Sequence, residues 1–191
     1  MSVQEVVDAT HRHDPISMAF HWLTVALVCA AFVLGPGGSE ERVYSTARDF
    51  DRQFHELLGL SVLVITLLRL LWRAIKPAPQ LRAMPRSMHI ASKAVQGLLY
   101  LLLLLVPLAG ITGAWLEGHP LTVAVFGDIQ SLLPKNRAVG ALIVEVHTYL
   151  GDAIMWLAGL HAGAALFHHF AFRDDVLLAM VPARFKGWLR S

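Results

Sequence analysis

Two histidines of one apolar segment, His147 and His161, lie fourteen residues apart. Fourteen residues are close to four turns of an α-helix, so both rings would point to one side of the helix, about 21 Å apart along its axis. The hydrocarbon core of a bilayer is about 30 Å thick, so one histidine would lie near each membrane surface. An imidazole inside a membrane is costly and usually functional. The spacing therefore predicts two stacked cofactor sites, one toward each face of a membrane.

The elements that position these histidines are predicted to be membrane-spanning helices. Of the 191 residues, 55% are hydrophobic and 16% are charged, and the mean hydropathy is +0.54. Unpaired backbone polar groups are not tolerated in lipid, so apolar stretches of this length should be helical. The predicted fold class is an all-α membrane protein, with residues 1–191 forming a single domain that is a four-transmembrane-helix bundle. The four predicted spans are 16–34, 55–75, 92–115 and 142–172.

The basic residues predict the orientation of the bundle. The positive-inside rule places the more basic side in the cytoplasm, together with both termini. The loops 35–53 and 117–140 would then face outward, and the net charge of +2 gives no argument for nucleic acid. The ten basic residues of the inner side are Arg12, Arg73, Lys76, Arg82, Arg86, Lys93, Arg173, Arg184, Lys186 and Arg190, and the five of the outer side are Arg42, Arg48, Arg52, Lys135 and Arg137.

Depth in the membrane decides which histidines can face one another. His21 lies near the start of an outward-running helix, whereas His55 and His147 begin inward-running helices and His161 is four turns deeper. His55 therefore pairs with His147 near the outer face, and His21 pairs with His161 near the inner face. Two imidazoles facing each other between helices suit a haem b with both axial positions filled, which favours electron transfer over oxygen binding. The four histidines predict two haems b.

Other interpretations of these histidines are hydrogen-bonded core residues, a proton relay, or a zinc or copper site. Zinc requires three or four ligands that converge on one point, and these histidines divide into two distant pairs. The only cysteine is Cys29, so the chain cannot form a thiolate cluster or a C-x-x-C-H covalent haem attachment. We interpret Cys29 as a small apolar residue of the first span.

Small residues accompany the histidines. His55 and His147 each open an H-x-x-x-G motif, ending at Gly59 and Gly151, and glycines also flank His161 at both sides. A glycine one turn from a histidine leaves room for a flat macrocycle, although ordinary close packing of helices is the alternative. In the third span, Pro107 predicts a kink, and Gly110 and Gly113 would allow close packing of helices.

Polar residues near the inner boundary predict anion and quinone contacts. Arg69 follows His55 by fourteen residues, so it shares that helix face near the inner haem. We predict that Arg69 binds the propionates of the inner haem through its bidentate fork, with Arg73 as a weaker candidate. His168 would contact a propionate or donate to a quinone carbonyl, and Asp152 could support a ligand histidine. The alternatives are snorkelling of Arg69 and His168 to water and a polar cavity around Asp152. The loop and terminal histidines, His119 among them, are predicted to be solvated.

Taken in order, these segments resemble the bacterial cytochrome b561 family of four-helix dihaem membrane proteins, over about residues 14–182. The resemblance implies two haems b held by the same histidine pairs, location in the bacterial plasma membrane, and electron exchange with the quinone pool. Family members often carry a histidine where this chain has Lys93, which puts any role of that histidine in doubt. The matching segments are S-M-A-F-H-W at 17–22, H-E-L-L-G at 55–59, R-L-L-W-R at 69–73, L-Y at 99–100, P-L-A-G at 107–110, H-T-Y-L-G at 147–151 and G-L-H-A-G-A-A at 159–165, with His168 and His169.

The expected function is transmembrane electron transfer between a donor at the outer face and a quinone. One branch of the resembled family oxidises superoxide and reduces ubiquinone, so superoxide or a redox protein is the expected donor and lipid surrounds the chain. As an enzyme, the chain would be an oxidoreductase of the superoxide:ubiquinone type. One rival hypothesis is a haem-bearing membrane anchor that relays electrons for a partner dehydrogenase or hydrogenase. Another is a structural or sensory membrane protein whose histidines bind no cofactor.

Overall fold

The computed structural model describes residues 13–77, 85–123 and 127–181. Four helices in this part of the chain are long and apolar enough to cross a membrane, which confirms the predicted four-helix fold. Most extend beyond the predicted spans, because charged end turns continue the helices past the apolar stretches. The helices are α1 (Pro15–Val33), α3 (Asp49–Ile75), α4 (Arg86–Glu117) and α5 (Arg137–Phe167), and a short helix, α2 (Glu40–Val43), lies between α1 and α3.

Local sequence signals fix the helix ends. Asp14 caps α1 by accepting hydrogen bonds from the backbone N–H groups of Ile16 and Ser17, and Pro15 occupies the first turn, where its missing N–H is no loss. Helix α4 continues through Pro107 and ends at Gly118, whose φ of 93° is the left-handed conformation that glycine adopts freely. The kink expected at Pro107 stays a prediction.

The long helices form two closely packed pairs, α1 with α3 and α4 with α5, and α3 joins the pairs by contacting α4. Glycines permit the close approach of α4 and α5. A Cβ atom on Gly113 would lie 2.7 Å from Val144 Cγ2, and one on Gly140 would lie 2.7 Å from the Glu117 nitrogen. This confirms the prediction that Gly113 serves helix packing.

An apolar cluster fills the middle of the bundle, consisting of Val62, Leu102, Leu103 and Ile154. Val62 follows His55 by seven residues, and Ile154 lies seven residues from both His147 and His161. Seven residues are about 10 Å of helix, so the cluster lies midway between the two histidine levels. The outward faces are also apolar, as Trp156 shows with 78% of its surface exposed. Exposed apolar side chains on all sides are what a lipid environment favours.

The end of the bundle that carries His55 and His147 is named the outer end after its predicted orientation, and the opposite end is named the inner end. The loop after α4, at the outer end, contains a β-hairpin. Strand β1 (Leu121–Val123) pairs antiparallel with β2 (Gly127–Ile129), with Leu121 opposite Ile129. For the segment 126–134 the sequence indicated an interfacial turn or a short helix; its described part contains no helix, and Gly127–Ile129 forms strand β2 instead. Pairing with β1 supplies the hydrogen bonds that the backbone groups of β2 need.

At the inner end, the chain returns to the start of α1. A π-helical turn (His168–Phe172) extends α5, and a 3₁₀ turn (Leu178–Met180) follows. The Trp22 indole donates a hydrogen bond of 2.9 Å to the Met180 carbonyl. The terminal segments expected to be a polar arm and a basic amphipathic tail, which contain Arg12, Arg184, Lys186 and Arg190, lie outside the described residues, as does Arg82 of the inner loop.

Candidate haem-binding site

The outer histidine pair is assembled by α3 and α5. The ring centroids of His55 and His147 lie 5.8 Å apart, with an angle of 87° between the ring planes. An imidazole nitrogen binds a metal at about 2.0–2.1 Å, so two imidazoles on opposite sides of one metal have centroids roughly 6 Å apart. The separation of the rings therefore leaves room for one metal ion that both histidines would bind.

Backbone carbonyls fix the orientation of both rings. The Nδ1 atom of His55 lies 2.7 Å from the Ala31 carbonyl oxygen, and that of His147 lies 2.8 Å from the Val106 carbonyl oxygen. A carbonyl oxygen only accepts, so each Nδ1 carries the proton and donates, and each Nε2 keeps a free lone pair. This hydrogen bond sets the tautomer and raises the basicity of an imidazole that binds a metal.

The end of α1 makes the Ala31 carbonyl accessible. In a continuing helix, the Gly35 N–H would bond to Ala31, but here it bonds to the Phe32 carbonyl at 3.2 Å. The helix thus ends in a tighter turn, and the Ala31 oxygen is left for His55. The glycine-rich stop after the first span, visible in the sequence, therefore helps to place the first outer histidine.

Two adjoining cavities, of about 350 and 90 Å³, share His55, His147, Gly59 and Gly151 as lining residues. A Cβ atom built on Gly59 or Gly151 would meet nothing within 4 Å, so both glycines face open space rather than a packed neighbour. In contrast, a Cβ on Gly110 would lie 3.0 Å from His147 Cε1. The glycines one turn from the histidines thus leave room for a planar ligand, whereas Gly110 lets the His147 ring approach α4.

The inner histidine pair, His21 and His161, has fewer orienting contacts than the outer pair. His21 lies on α1 and His161 on α5, and the described residues show no ring contact between them like that of the outer pair. Arg69 Nη2 lies 3.4 Å from His21 Nδ1, at the long limit of hydrogen bonding. An arginine only donates, so His21 Nδ1 accepts in this contact, whereas the Nδ1 atoms of the outer pair donate to carbonyls. The flanking glycines of His161 face open space, as those of the outer pair do.

Two guanidinium groups surround one aromatic ring at the inner level. The central guanidinium carbons of Arg69 and Arg73 lie 5.2 and 5.7 Å from the centroid of the Tyr100 ring. Among the described residues, neither arginine forms an ion pair with a carboxylate. Two neighbouring cations without a carboxylate partner can hold an anionic group, which suits the predicted propionate contact.

Beyond the inner pair, His168 has an acidic partner. Its Nδ1 lies 2.6 Å from Asp174 Oδ2, and the Asp174 backbone N–H bonds back to the His168 carbonyl at 3.4 Å. The π-helical turn and Arg173, which has a left-handed φ of 51°, reverse the chain and thereby bring Asp174 beside His168. The aspartate on Nδ1 fixes the orientation of the His168 ring and leaves Nε2 free for a second hydrogen bond.

Asp152 and Lys93, two polar positions singled out in the sequence, do not contact a predicted ligand histidine in the described part of the chain. Asp152 lines the larger cavity, and its carboxylate has no hydrogen bond to a histidine in the described part of the chain. The Nδ1 groups of the outer pair are bound by carbonyls, so Asp152 does not have the supporting role considered for it. Lys93 is exposed near the inner end of α4.

The sequence missed a polar network that covers the outer cavity. His119, expected to be solvated, stacks on Tyr44 with ring centroids 3.5 Å apart and donates to Glu40 at 2.8 Å. This hydrogen bond holds the pKa of Glu40 below its ordinary value. Arg52 bonds to Glu56, which accepts from the hairpin nitrogen of Thr122 at 2.6 Å. Since Glu40 and His119 are 79 residues apart, only the E-G-H sequence at a helix end hinted at such a site.

The structure combines four apolar helices, an imidazole pair between them and glycine-lined space beside that pair. These features define a haem-binding membrane protein of the electron-transfer class. The chain belongs to the prokaryotic cytochrome b561 family, whose sequence model matches residues 12–183. It is therefore an integral membrane electron-transfer protein of a family that binds haem b.

Similar proteins match along nearly their whole length. Cytochrome b562 of Cereibacter sphaeroides is 32% identical over 175 residues, which cover 88% of this chain and 94% of that protein. Cytochrome b561 homolog 2 of Escherichia coli K12 is 29% identical over 171 residues, covering 89% and 91%. A protein named as a probable superoxide oxidase, CybB of Yersinia pestis, is 27% identical over 176 residues, covering 91% and 97%.

Proposed function

We propose that this chain transfers electrons across the membrane with two haems b, one held by His55 and His147 and the other by His21 and His161. The observation that carries the proposal is the outer pair, whose rings are 5.8 Å apart with both Nδ1 atoms bound to backbone carbonyls. A haem iron with two imidazole ligands supplies one-electron transfer and has no open position for oxygen. The whole chain would act as one domain, with both termini in the cytoplasm.

The protein groups around these ligands have defined tasks. The carbonyls of Ala31 and Val106 hold the imidazole planes and increase their basicity. The apolar cluster of Val62, Leu102, Leu103 and Ile154 excludes water between the two levels, which keeps the local dielectric low. At the inner level, Arg69 and Arg73 would bind propionate groups. Arg69 would then give up its contact with His21 Nδ1.

His168 and Asp174 support a quinone site at the inner face. A quinone gains two electrons and two protons when it becomes a quinol, so its carbonyl oxygens need a proton donor. A protonated His168, held by Asp174 at 2.6 Å, can donate to such an oxygen from Nε2. This role makes His168 a quinone contact rather than a propionate contact.

Superoxide is the proposed donor at the outer face, by analogy with the relative named as a probable superoxide oxidase. Each superoxide would give up one electron and leave as O₂, and two such electrons convert one quinone into quinol with two protons. Arg48, Arg52 and Arg137 would attract the anion, although acidic residues lie beside them. Stopped-flow mixing of the purified protein with superoxide should reduce its haem; haem that stays oxidised would exclude this donor.

The two-site assignment is tested by measuring haem content and redox potentials for His147→Ala and His161→Ala. Each variant should lose a different haem, seen as the loss of a different component in the redox titration. His89→Ala, which removes an exposed histidine, is the matched control and should keep both haems. Loss of the same component in both ligand variants would overturn the pairing. If the purified protein reduces quinone without another subunit, the rival interpretation as a membrane anchor is also excluded.

A further inference from the structure

Three potential metal ligands converge at the outer mouth of the larger cavity. Glu40, Glu117 and His119 each offer one ligand atom, and these atoms all lie within 4.8 Å of one another. Glu40 and Glu117 also line the cavity that contains the outer histidine pair. The cluster is distinct from the proposed haem ligands, which lie deeper in the bundle.

The local fold fixes the geometry of the cluster. Helix α4 ends at Glu117, and the left-handed Gly118 turns the chain so that the His119 N–H bonds to the Ala114 carbonyl at 2.9 Å. This turn places Glu117 and His119 beside each other. The ring of Tyr44, stacked at 3.5 Å, fixes the plane of the His119 imidazole. Glu40 comes from the short helix α2, so two separate segments meet here.

Glu117 is the unusual member of the cluster. Its exposed fraction is only 5%, and its carboxylate has no hydrogen bond and no ion pair with any residue in the described ranges. A carboxylate that is so little exposed and has no partner in the described part of the chain is costly, and a bound cation or a proton would lower that cost. Glu40 is only 2.8 Å from His119, so the second carboxylate is already in place for a shared ion.

We propose that Glu40, Glu117 and His119 form a Zn²⁺ site at the outer face of the protein. An imidazole with two carboxylates suits zinc, whereas calcium and magnesium prefer oxygen ligands alone. Ligand atoms around a tetrahedral zinc ion are roughly 3.3 Å apart, so shifts of about 1 Å would complete the site, with water as the fourth ligand. The site requires neither haem nor a quinone, so it stands independently of the proposed function.

Two basic residues, Arg137 and Lys135, border the proposed zinc site, and substitution of Arg137 tests the proposal. Arg137 donates to Glu40 Oε1 at 3.0 Å, with 61% of its side chain exposed, and the Lys135 side chain packs over Gly118. An exposed ion pair is weak, so Arg137 can yield Glu40 to a metal ion, but it competes with that ion. Removal of Arg137 should therefore tighten zinc binding, whereas removal of a ligand should weaken it.

The experiment measures Zn²⁺ binding to the haem-loaded, tag-free protein by isothermal titration and by metal analysis after dialysis. The intact protein should bind one equivalent. Glu117→Gln and His119→Ala should each weaken binding by at least about tenfold, the smallest loss typical even for indirect metal partners. Arg137→Gln should tighten binding by up to about fivefold. Glu41→Gln, an exposed change one residue from Glu40, is the matched control and should have no effect.

Haem absorption spectra of each variant verify folding, and the rim variants His119→Ala and Arg137→Gln keep the test valid if Glu117→Gln does not fold. Absence of zinc binding by the intact protein would overturn the proposal, as would unchanged binding in His119→Ala. Weaker rather than tighter binding in Arg137→Gln would also contradict it, because Arg137 would then support the site instead of competing for Glu40.

Discussion

Substitution of Gly110 by alanine tests whether the close approach of α4 positions His147, the proposed ligand of the outer haem. The added Cβ would lie 3.0 Å from His147 Cε1 and 3.1 Å from Nδ1. Carbon atoms in ordinary contact are about 3.5–4.0 Å apart, so the ring must retreat by a few tenths of an ångström. The hydrogen bond to the Val106 carbonyl is 2.8 Å long, and such a shift lengthens it toward the long end of the usual range.

The cost combines overpacking, typically about 1–3 kcal/mol, with the weakening of a hydrogen bond that contributes about 0.5–1.5 kcal/mol. We expect one of the two proposed haems to bind up to about tenfold more weakly, because the complete loss of the hydrogen-bond partner of a metal-binding histidine costs about 10–100-fold. Any outer haem retained should have a higher midpoint potential, because a less basic imidazole stabilises ferric iron less. The inner haem should be unchanged.

The assay is a redox titration with haem quantification, and Gly97→Ala is the matched control. Gly97 is on the same helix, is exposed, and would place a Cβ in open space, so alanine there should at most increase helix stability by ~1 kcal/mol. If Gly110→Ala keeps the haem content and both potentials of the unmodified protein, the proposed role of the carbonyl-held ring is refuted.

Three further predictions concern packing, pH and the quinone. Gly113→Ala places a Cβ 2.7 Å from Val144 Cγ2 and should lower the free energy of unfolding by about 1–3 kcal/mol. Its melting temperature should therefore be lower than that of the control variant Gly97→Ala. Burial raises the pKa of Asp14, but hydrogen bonds from a hydroxyl and an indole outweigh it and hold the pKa below its ordinary value. The stabilisation by ionised Asp14 is thus complete above about pH 4 and is lost as the pH falls further; Asp14→Asn, which keeps a capping oxygen, should remove this pH dependence from thermal melts. Asp174→Asn should slow quinone reduction, because it weakens the 2.6 Å hydrogen bond that orients the His168 ring, while both haem potentials stay constant; an unchanged rate would contradict the role of His168 as a quinone contact.

The sequence by itself determined the membrane-spanning fold. The apolar lengths, the glycine stop after residue 34 and the Asp14-Pro15 start are local signals, and the structure contains the corresponding helices. Helical periodicity also put His147 and His161 on one face and matched His55 with His147 by depth, because 1.5 Å per residue converts sequence separation into membrane depth. The outer pair is indeed brought together, whereas its role as iron ligands stays a prediction.

Only the tertiary structure decided which groups surround these residues, because hydrogen-bond partners come from distant segments and follow no period. The carbonyls that hold the outer imidazoles come from Ala31 and Val106, 24 and 41 residues away from their histidines. The hairpin was missed because pairing across a turn, rather than local propensity, forms it. Likewise, His119 was assigned to solvent because nothing near it in the chain indicates Glu40 or Tyr44. Periodicity gives depth and helix face, but the contacts that orient an imidazole or compensate a buried carboxylate exist only once the helices have packed.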